Sequence, residues 1–322
     1  MREEIANAMS VEKSLKPQNI CIQTKKEQKI KKGIFMGTMM VPAIVGFLVF
    51  YVYVNFNSLL MAFQKTTDGV TDFTLQNFNY FFNELKNPYS VFSEAIENTA
   101  IFFVLGYLQM LLSLLVSYFI YKKIVGYKTF RFIYYLPCII MSTATASLVQ
   151  YITMVDGPLD KLIMFITGNS KTNFGMGLWA EESTANTMLA IYMLLYGVGG
   201  NMILFLGAMT NISPEIFEAA RLDGVGWIRE IFQLIMPLIW PTFSVMFLTS
   251  ITGLTQASGP VFLFTKGKAG TYTLNYWLYA QLLNGSMLEV SAAIGWCCTA
   301  VTFPIALIVR KALNKIEDRI GV

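Results

Sequence analysis

One charged stretch in an otherwise apolar sequence holds the residues best suited to a specific interaction, and it reads SPEIFEAARLDGVGWIREIFQLIMPLIWP, at 213–241. Ser213 and Pro214 are typical of a helix start, because serine caps free N–H groups and proline suits the first turn. Gly224 then predicts a turn, since glycine readily adopts a left-handed backbone. Apolar residues after it share one face of a second helix, which we expect to pack against the rest of the chain: Trp227, Ile228, Ile231, Phe232 and Ile235. A charged helix–turn–helix of this kind suits docking to another protein.

Side chains for catalytic or metal chemistry are scarce. The sequence has no histidine, which excludes histidine-based metal sites, general bases and proton relays. Four scattered cysteines predict no disulfide framework and are interpreted as small buried thiols: Cys21, Cys138, Cys297 and Cys298. The segment 262–269 has Phe262 where a phosphate-binding loop needs its first glycine and Ala269 where it needs Ser or Thr. We therefore expect a chain that is not an enzyme and holds no cofactor of its own.

Composition indicates a membrane protein. Of the 322 residues, 55% are hydrophobic and 14% charged, with a mean hydropathy of +0.52, whereas soluble domains are about 25% charged. Seven windows of 20 or more residues lack Asp, Glu, Lys and Arg, six of them strongly apolar, and about 20 apolar residues cross a bilayer as a helix. The sequence thus predicts an all-α membrane protein with six transmembrane helices, near 34–56, 98–121, 132–153, 187–209, 238–257 and 291–309.

The distribution of basic residues predicts the orientation of these spans. With six spans, 18 of the 24 Lys and Arg residues lie on the side of the N-terminus, which makes both termini cytoplasmic by the positive-inside rule. A poorer apolar window at 269–288 would move the C-terminal tail outside, so it is interpreted as an interfacial or surface helix. The predicted domains are a cytoplasmic tail at 1–33, a six-helix domain at 34–309 with its charged loop at 213–236, and a cytoplasmic tail at 310–322.

Candidate pathway residues lie on the two spans that flank the charged loop. A neutral, hydroxyl-rich solute needs aromatic faces and hydrogen-bonding side chains, whereas an anion would need fixed cations, which the predicted span cores lack. The candidates in the fourth span are Tyr192, Tyr196, Gly197 and Asn201, and those in the fifth are Thr249, Ser250, Thr252, Gly253 and Gln256. The alternative is that these small and hydroxylated residues only pack helices together, which is common in membranes.

The charged stretch also resembles a known family signature. EAARLDG, followed by Ile235, Pro237 and Pro241, resembles the EAA motif of the permease subunits of ATP-binding-cassette (ABC) importers, most of all the maltose and oligosaccharide type. Agreement continues in ENTAIFFVLG at 97–106, FRFIYYLPCIIMS at 130–142 and SGPVFLFTKG at 258–267. Two features depart from that type: Val225 stands where alanine is usual, and the segment 57–97 is too short for the large external domain of some relatives.

The resemblance implies the permease fold of type I importers, with the first helix of the motif as a coupling helix seated in a cytoplasmic ATPase. It implies a role in coupling for Glu218, as ion-pair partner of an ATPase arginine, for Ala219 and Ala220, which permit close approach, and for Arg221, Asp223 and Gly224, which shape the loop. Implied partners are a second permease, an ATPase dimer that binds ATP and magnesium, an extracellular solute-binding protein, a carbohydrate and membrane lipid, with no nucleic acid. The implied location is the bacterial cytoplasmic membrane.

Two alternatives to an oligosaccharide importer stay open at this point. The same machinery could carry another solute, such as a glycerol phosphate or a peptide. A transporter that works without ATPases is the other alternative, although span cores without ionisable residues are unusual for proton-coupled carriers.

Overall fold

A computed structural model describes residues 30–67, 70–167, 178–179, 181–253, 259–283, 285 and 287–320. The described residues fall into two compact units, divided between Met61 and Ala62. Helix α1, Ile30–Ala62, accounts for the described part of the first unit. It contains a π-helical segment at Phe47–Tyr53. At 33 residues and about 1.5 Å per residue, α1 is longer than a bilayer core of about 30 Å.

The second unit begins with a small antiparallel hairpin that the sequence analysis did not predict. Strands β1, Gln64–Thr67, and β2, Val70–Phe73, pair with Lys65 opposite Asp72. The helices that follow are α2 Gln76–Lys86, α3 Val91–Tyr121, α4 Tyr127–Ile139, α5 Ser142–Thr153, α6 Pro158–Thr167, α7 Glu182–Thr210, α8 Pro214–Leu222, α9 Trp227–Leu238, α10 Trp240–Thr252, α11 Gly259–Phe264, α12 Leu274–Leu283 and α13 Leu288–Ile320.

Four described helices are long and apolar enough to cross a membrane: α1, α3, α7 and α13. Two further candidates are bent pairs, one formed by α4 with the helices after it and one by α9 with α10. The six predicted spans therefore correspond to four helices and two broken ones. Membrane proteins tolerate such breaks where other groups satisfy the freed backbone.

The third predicted span, 132–153, is not one continuous helix. The chain bends by 110° between α4 and the helix that starts at Ser142. Pro137, inside α4, has no N–H to donate, and Ile140 and Met141 take extended backbone angles with ψ of 141° and 136°. The predicted span is thus present as a broken one, and the sequence analysis did not foresee the break because apolar composition does not report backbone breaks.

The fifth predicted span, 238–257, also changes direction. Helices α9 and α10 meet at 85° around Ile239, between Pro237 and Pro241. Both prolines lack the N–H that a continuing helix needs, and the bend lies between them. Helix α10 ends at Thr252, and 254–258 lie outside the described residues.

The poorer apolar window, 269–288, contains the short helix α12. Its 10 residues reach about 15 Å, too short to cross a bilayer. One face is buried: Trp277 packs on Phe92 of α3 with ring centroids 5.2 Å apart, in a cluster that includes Ile294 of α13. Helix α12 is therefore anchored to two spans.

The main core of the second unit joins α3, α7, α9 and α10. The contact between α3 and α7 is the most extensive between described helices. Ser117 of α3 donates to the carbonyl of Met202 in α7 at 3.2 Å. The buried members of this core are Met110, Leu114, Tyr118, Phe205, Met209, Ile212, Ile231, Ile235, Ile239, Phe243 and Met246. Residues of α9 thus lie in the same core as the spanning helices.

Candidate functional site

Helix α8 is the first helix of the charged stretch, and its boundaries follow the sequence signals. Ser213 takes the N-cap position and Pro214 the first helical position. The Ser213 side chain makes no capping hydrogen bond within the described part of the chain; instead its carbonyl accepts from the N–H of Ile216 at 3.2 Å. Glu215 places a negative charge in the first turn, where the helix dipole favours it.

Helix α8 ends in a left-handed glycine turn. Gly224 has φ of +67°, and its N–H donates to the Arg221 carbonyl at 3.2 Å. The N–H of Val225 reaches back to the carbonyl of Ala220 at 3.1 Å. This pair of bonds is a Schellman motif, which requires a residue that tolerates positive φ. Its geometry sets the direction in which the chain leaves α8.

The exposed face of α8 carries most of the residues predicted for coupling. Glu218, Ala219, Arg221, Asp223 and Gly224 are exposed. Ala220, however, is buried against its own chain with 7% exposure. Of the two alanines, only Ala219 is therefore available to allow a partner to approach closely.

Sequence reasoning missed Leu222, the last residue of α8. Its side chain is 89% exposed and lies between the exposed charges of Arg221 and Asp223. An exposed large aliphatic side chain flanked by charges is suited to a protein interface. The signal in the sequence was an apolar residue directly before the glycine turn.

The predicted apolar stripe of α9 is only partly correct. Ile231 and Ile235 are fully buried, but Trp227, Ile228 and Phe232 are more than half exposed. Phe232 lies in a π-helical segment at Glu230–Ile235, where i→i+5 bonding changes the angular spacing of side chains, whereas Trp227 and Ile228 lie in the α-helical turn before it. A stripe drawn with the ordinary helical period therefore includes positions that do not face the core.

A groove of about 320 Å³ lies beside α8. Its walls come from α8 and from the end of α3, and its lining residues are Tyr121, Lys122, Lys123, Pro214, Phe217, Glu218 and Arg221. Sequence reasoning missed the α3 side, including Lys122, which pairs with Glu230 of α9. The two lysines follow a span in the sequence, where charge is common, so their pattern alone did not single them out.

A second cavity, of about 370 Å³, opens at the break between α4 and α5. Tyr192 and Tyr196 stack with centroids 4.6 Å apart, and Phe264 meets Tyr192 edge-on at 4.7 Å. The hydroxyls of Tyr192 and Thr145 are 3.3 Å apart. The lining residues are Pro137, Cys138, Ile140, Ser142, Thr145, Tyr192, Met193, Tyr196, Gly197 and Pro260. None of these described lining residues is charged.

The predicted pathway residues of α7 are largely brought together at this cavity. Tyr192, Tyr196 and Gly197 line it. Asn201, one turn further along α7, is partly buried and does not belong to the described lining.

The predicted pathway residues of the fifth span are placed differently. The hydroxyls of Thr249 and Ser250 donate to the Met246 carbonyl, and Thr252 donates to the Thr249 carbonyl. Gly253 follows the last residue of α10. None of these described residues lines the cavity, and Gln256 lies outside the described residues. The hydroxyls of these three α10 residues thus bond within their own helix.

Comparison with known proteins gives sequence relatives along most of the chain. Residues 113–322 match the family model described as binding-protein-dependent transport system inner membrane component. The lactose transport system permease protein LacF of Rhizobium radiobacter is 30% identical over 196 residues, 59% of this chain and 64% of that protein. The arabinooligosaccharides transport system permease protein AraP of Bacillus subtilis (strain 168) is 25% identical over 275 residues, covering 83% of this chain and 84% of AraP.

A solved structure has the same fold. A chain from the crystal structure of a bacterial alginate ABC transporter, in complex with an alginate pentasaccharide-bound periplasmic protein, matches with a TM-score of 0.72 and 21% identity. The match covers 90% of this chain and 97% of that one. The family model spans more than half of the sequence, including the charged stretch and the residues that line the cavity. This chain belongs to the family of binding-protein-dependent transport system inner membrane components, and it has the permease fold of type I ABC importers.

Proposed function

We propose that this chain is a transmembrane subunit of an ATP-driven importer of oligosaccharides and forms half of the translocation pathway. The observation that carries the proposal is α8: a short helix with an exposed charged face, ended by a Schellman turn at Gly224. In this proposal α8 docks into an ATPase subunit. The chain itself is not a catalyst; ATP and magnesium are bound by the ATPase partners. Both termini are cytoplasmic, as the basic residues indicate.

The proposed mechanism is alternating access. A loaded extracellular binding protein docks on the outer side of the permease pair, which consists of this chain and a second permease. ATP closes the two ATPases, α8 moves with them, and the pathway opens outward to receive the solute. Hydrolysis then resets the inward-facing state. Exposed Glu218 and Arg221 suit this contact because charged hydrogen bonds resist separation better than neutral ones.

The cavity beside the α4–α5 break supports a neutral oligosaccharide as cargo. Sugar rings present flat C–H faces that stack on aromatic side chains, and Tyr192 and Tyr196 supply aromatic rings in the cavity lining. The hydroxyls of Thr145 and Tyr192 can hydrogen-bond to sugar hydroxyls. No described residue of the lining is charged, which favours a neutral solute. The names of LacF and AraP also specify neutral sugars.

Co-purification tests the assembly. The tagged chain is purified from its native membrane in mild detergent, and bound subunits are identified by mass spectrometry. We expect a second permease and two ATPase subunits, and we expect Glu218→Lys to lose the ATPase. The control is Glu97→Lys, the same charge change at an exposed site at the opposite end of α3 from the groove. A chain without an ATPase, or equal ATPase loss in both variants, would contradict the proposal.

Competition for uptake tests the cargo. Cells or proteoliposomes with the complete transporter are given a neutral labelled sugar, lactose or arabinotriose, with excess neutral or acidic competitor. Neutral oligosaccharides should compete, and galacturonate or alginate oligomers and glycerol phosphate should not. We expect Tyr196→Ala to lower uptake more than Thr249→Ala, whose hydroxyl bonds within its own helix. Competition by the acidic compounds alone would refute the neutral cargo and leave the assembly proposal standing.

A further inference from the structure

At the end of α3, two residues one helical turn apart, Tyr118 and Lys122, meet Glu230, which lies more than 100 positions further along the sequence. The Nζ of Lys122, directly after α3, forms an ion pair with the carboxylate of Glu230 in α9. The Tyr118 hydroxyl donates to Oε2 of the same carboxylate at 3.1 Å. Glu230 is 6% exposed and Tyr118 is 3% exposed. We call Tyr118, Lys122 and Glu230 the latch.

The latch holds α9 against α3 because the buried carboxylate of Glu230, in α9, needs its two partners at the end of α3. A buried carboxylate is costly unless it is paired and hydrogen-bonded, so Glu230 is stable here only while Lys122 and Tyr118 reach it. Tyr118 and Lys122 lie at the end of α3, and Glu230 lies in α9. Movement of α9 away from α3 would therefore break the hydrogen bond and the ion pair together. Such a pair specifies one relative position of the two helices.

The same lysine also supports the coupling helix. The Lys122 ammonium lies 5.0 Å from the centroid of the Phe217 ring of α8, and Phe217 packs on Tyr121 with centroids 5.0 Å apart. The end of α3 therefore contacts both helices of the charged stretch, α8 through Phe217 and α9 through Glu230. Movement of α8 against an ATPase would act on α3 at this point.

The middle of α3 contacts the wall of the cavity beside the α4–α5 break, through Gln109. A Cβ added at Gly197, which lines the cavity, would lie 2.1 Å from the Gln109 amide nitrogen. The Gln109 side chain thus lies directly on the backbone of the cavity wall. Between Gln109 and Lys122 the chain is continuous helix up to Tyr121, and Ser117 also bonds to Met202 of α7. A stiff element joins the latch to the cavity.

We propose that Tyr118, Lys122 and Glu230 are positioning residues for energy coupling, which tie the coupling stretch to α3 so that motion of α8 is transmitted to the cavity wall. The proposal rests on the proposed function above. It predicts variants that still bind the ATPase but no longer pass its movement to the cavity. Loss of fold alone would not give this combination.

Cys138 offers a readout at the cavity, because it lines the cavity and is exposed. The complete co-purified complex is placed in lipid nanodiscs with the other three cysteines of this chain changed to serine. The rate of Cys138 modification by a maleimide is measured without nucleotide and after trapping with ATP and vanadate. The ATPase content of each sample is measured in parallel. In the parent complex, trapping should change the modification rate.

The test variants are Lys122→Met, Tyr118→Phe and the charge exchange Lys122→Glu with Glu230→Lys. We expect Lys122→Met to reduce the vanadate-dependent change roughly fivefold or more, Tyr118→Phe to reduce it less, and the exchange to restore part of it. The matched control is Lys128→Met, since Lys128 is exposed and is not among the residues that line the groove. Its modification rates should equal those of the parent.

Several outcomes would overturn the proposal. One is a Lys122→Met complex with the parent's ATPase content and the parent's change in modification rate. If that variant does not assemble, the proposal still fails when Tyr118→Phe behaves as the parent does and the charge exchange restores nothing. A parent complex without an ATPase, or without any response to ATP and vanadate, would refute the proposed function as well, which separates the two failures.

Discussion

Two neighbouring glycines of α7 provide a sharp test of the helix packing. A Cβ added at Gly199 would lie 2.1 Å from the Tyr134 carbonyl oxygen and 2.6 Å from Cys138 Sγ. A Cβ added at Gly200 would meet nothing within 4 Å. The pair Gly199→Ala and Gly200→Ala therefore makes the same chemical change in the same helix, and only the first brings α4 and α7 into conflict.

The structure allows the size of the effect to be worked out. The atom met by Gly199→Ala is a backbone oxygen, which cannot rotate away, so α4 must move by about 1 Å to restore a normal contact distance. Overpacking of this kind costs about 1–3 kcal/mol. The gain in helix propensity from glycine to alanine, up to about 1 kcal/mol, is common to both variants and cancels in their comparison. The difference between the two variants should thus be about 1–3 kcal/mol in favour of Gly200→Ala.

Thermal unfolding in detergent, followed by tryptophan fluorescence, measures this difference. At roughly 2–4 °C per kcal/mol for a chain of this size, Gly199→Ala should unfold several degrees below Gly200→Ala. Cysteine modification at Cys138 should also change in Gly199→Ala, because the thiol lies beside the added methyl. Equal melting temperatures, or a higher one for Gly199→Ala, would show that α4 and α7 do not approach as closely as described.

Two further substitutions test the turn after α8 and an anchor of a distant loop. Gly224→Val should destabilise the turn by about 1–2 kcal/mol, because φ of Gly224 is +67°, and it should weaken co-purification of the ATPase. Gly226→Val is the control, because φ of Gly226 is −69°, and it should not weaken ATPase binding. Equal ATPase binding by both variants would contradict this prediction. Asn98→Leu removes hydrogen bonds to the carbonyls of Gly270 and Tyr272, at 2.8 and 2.9 Å, at a cost of about 1–3 kcal/mol. Trypsin should then cleave faster after Lys266 and Lys268, which lie just before Gly270. An unchanged cleavage rate would refute the anchoring role of Asn98.

The structure of the charged stretch could be predicted in outline because its sequence signals are local. Ser213 and Pro214 specify a helix start, and Gly224 specifies a left-handed turn, through the conformational preferences of single residues. The structure places α8 and its turn where these residues indicate. Whether Glu218 and its neighbours contact an ATPase stays a prediction, since it depends on another protein.

The direction of side chains in α9 could not be predicted from the same stretch. A π-helical segment at Glu230–Ile235 changes the helical period, and no residue type in this stretch signals it. Similarly, the break at Ile140 and Met141 interrupts a run that is apolar throughout. Hydropathy measures which residues avoid water, and it is insensitive to a bend within an apolar segment.

By itself, the sequence determined that the chain is a membrane protein with six apolar segments and one charged helix–turn–helix, because transfer from water and local backbone preference are properties of short stretches. Only the tertiary structure decided that Lys122 meets Glu230 and that Tyr192 and Tyr196 share a cavity with Pro137. These contacts join residues distant in sequence. They depend on how whole helices bend and pack, which no single stretch encodes.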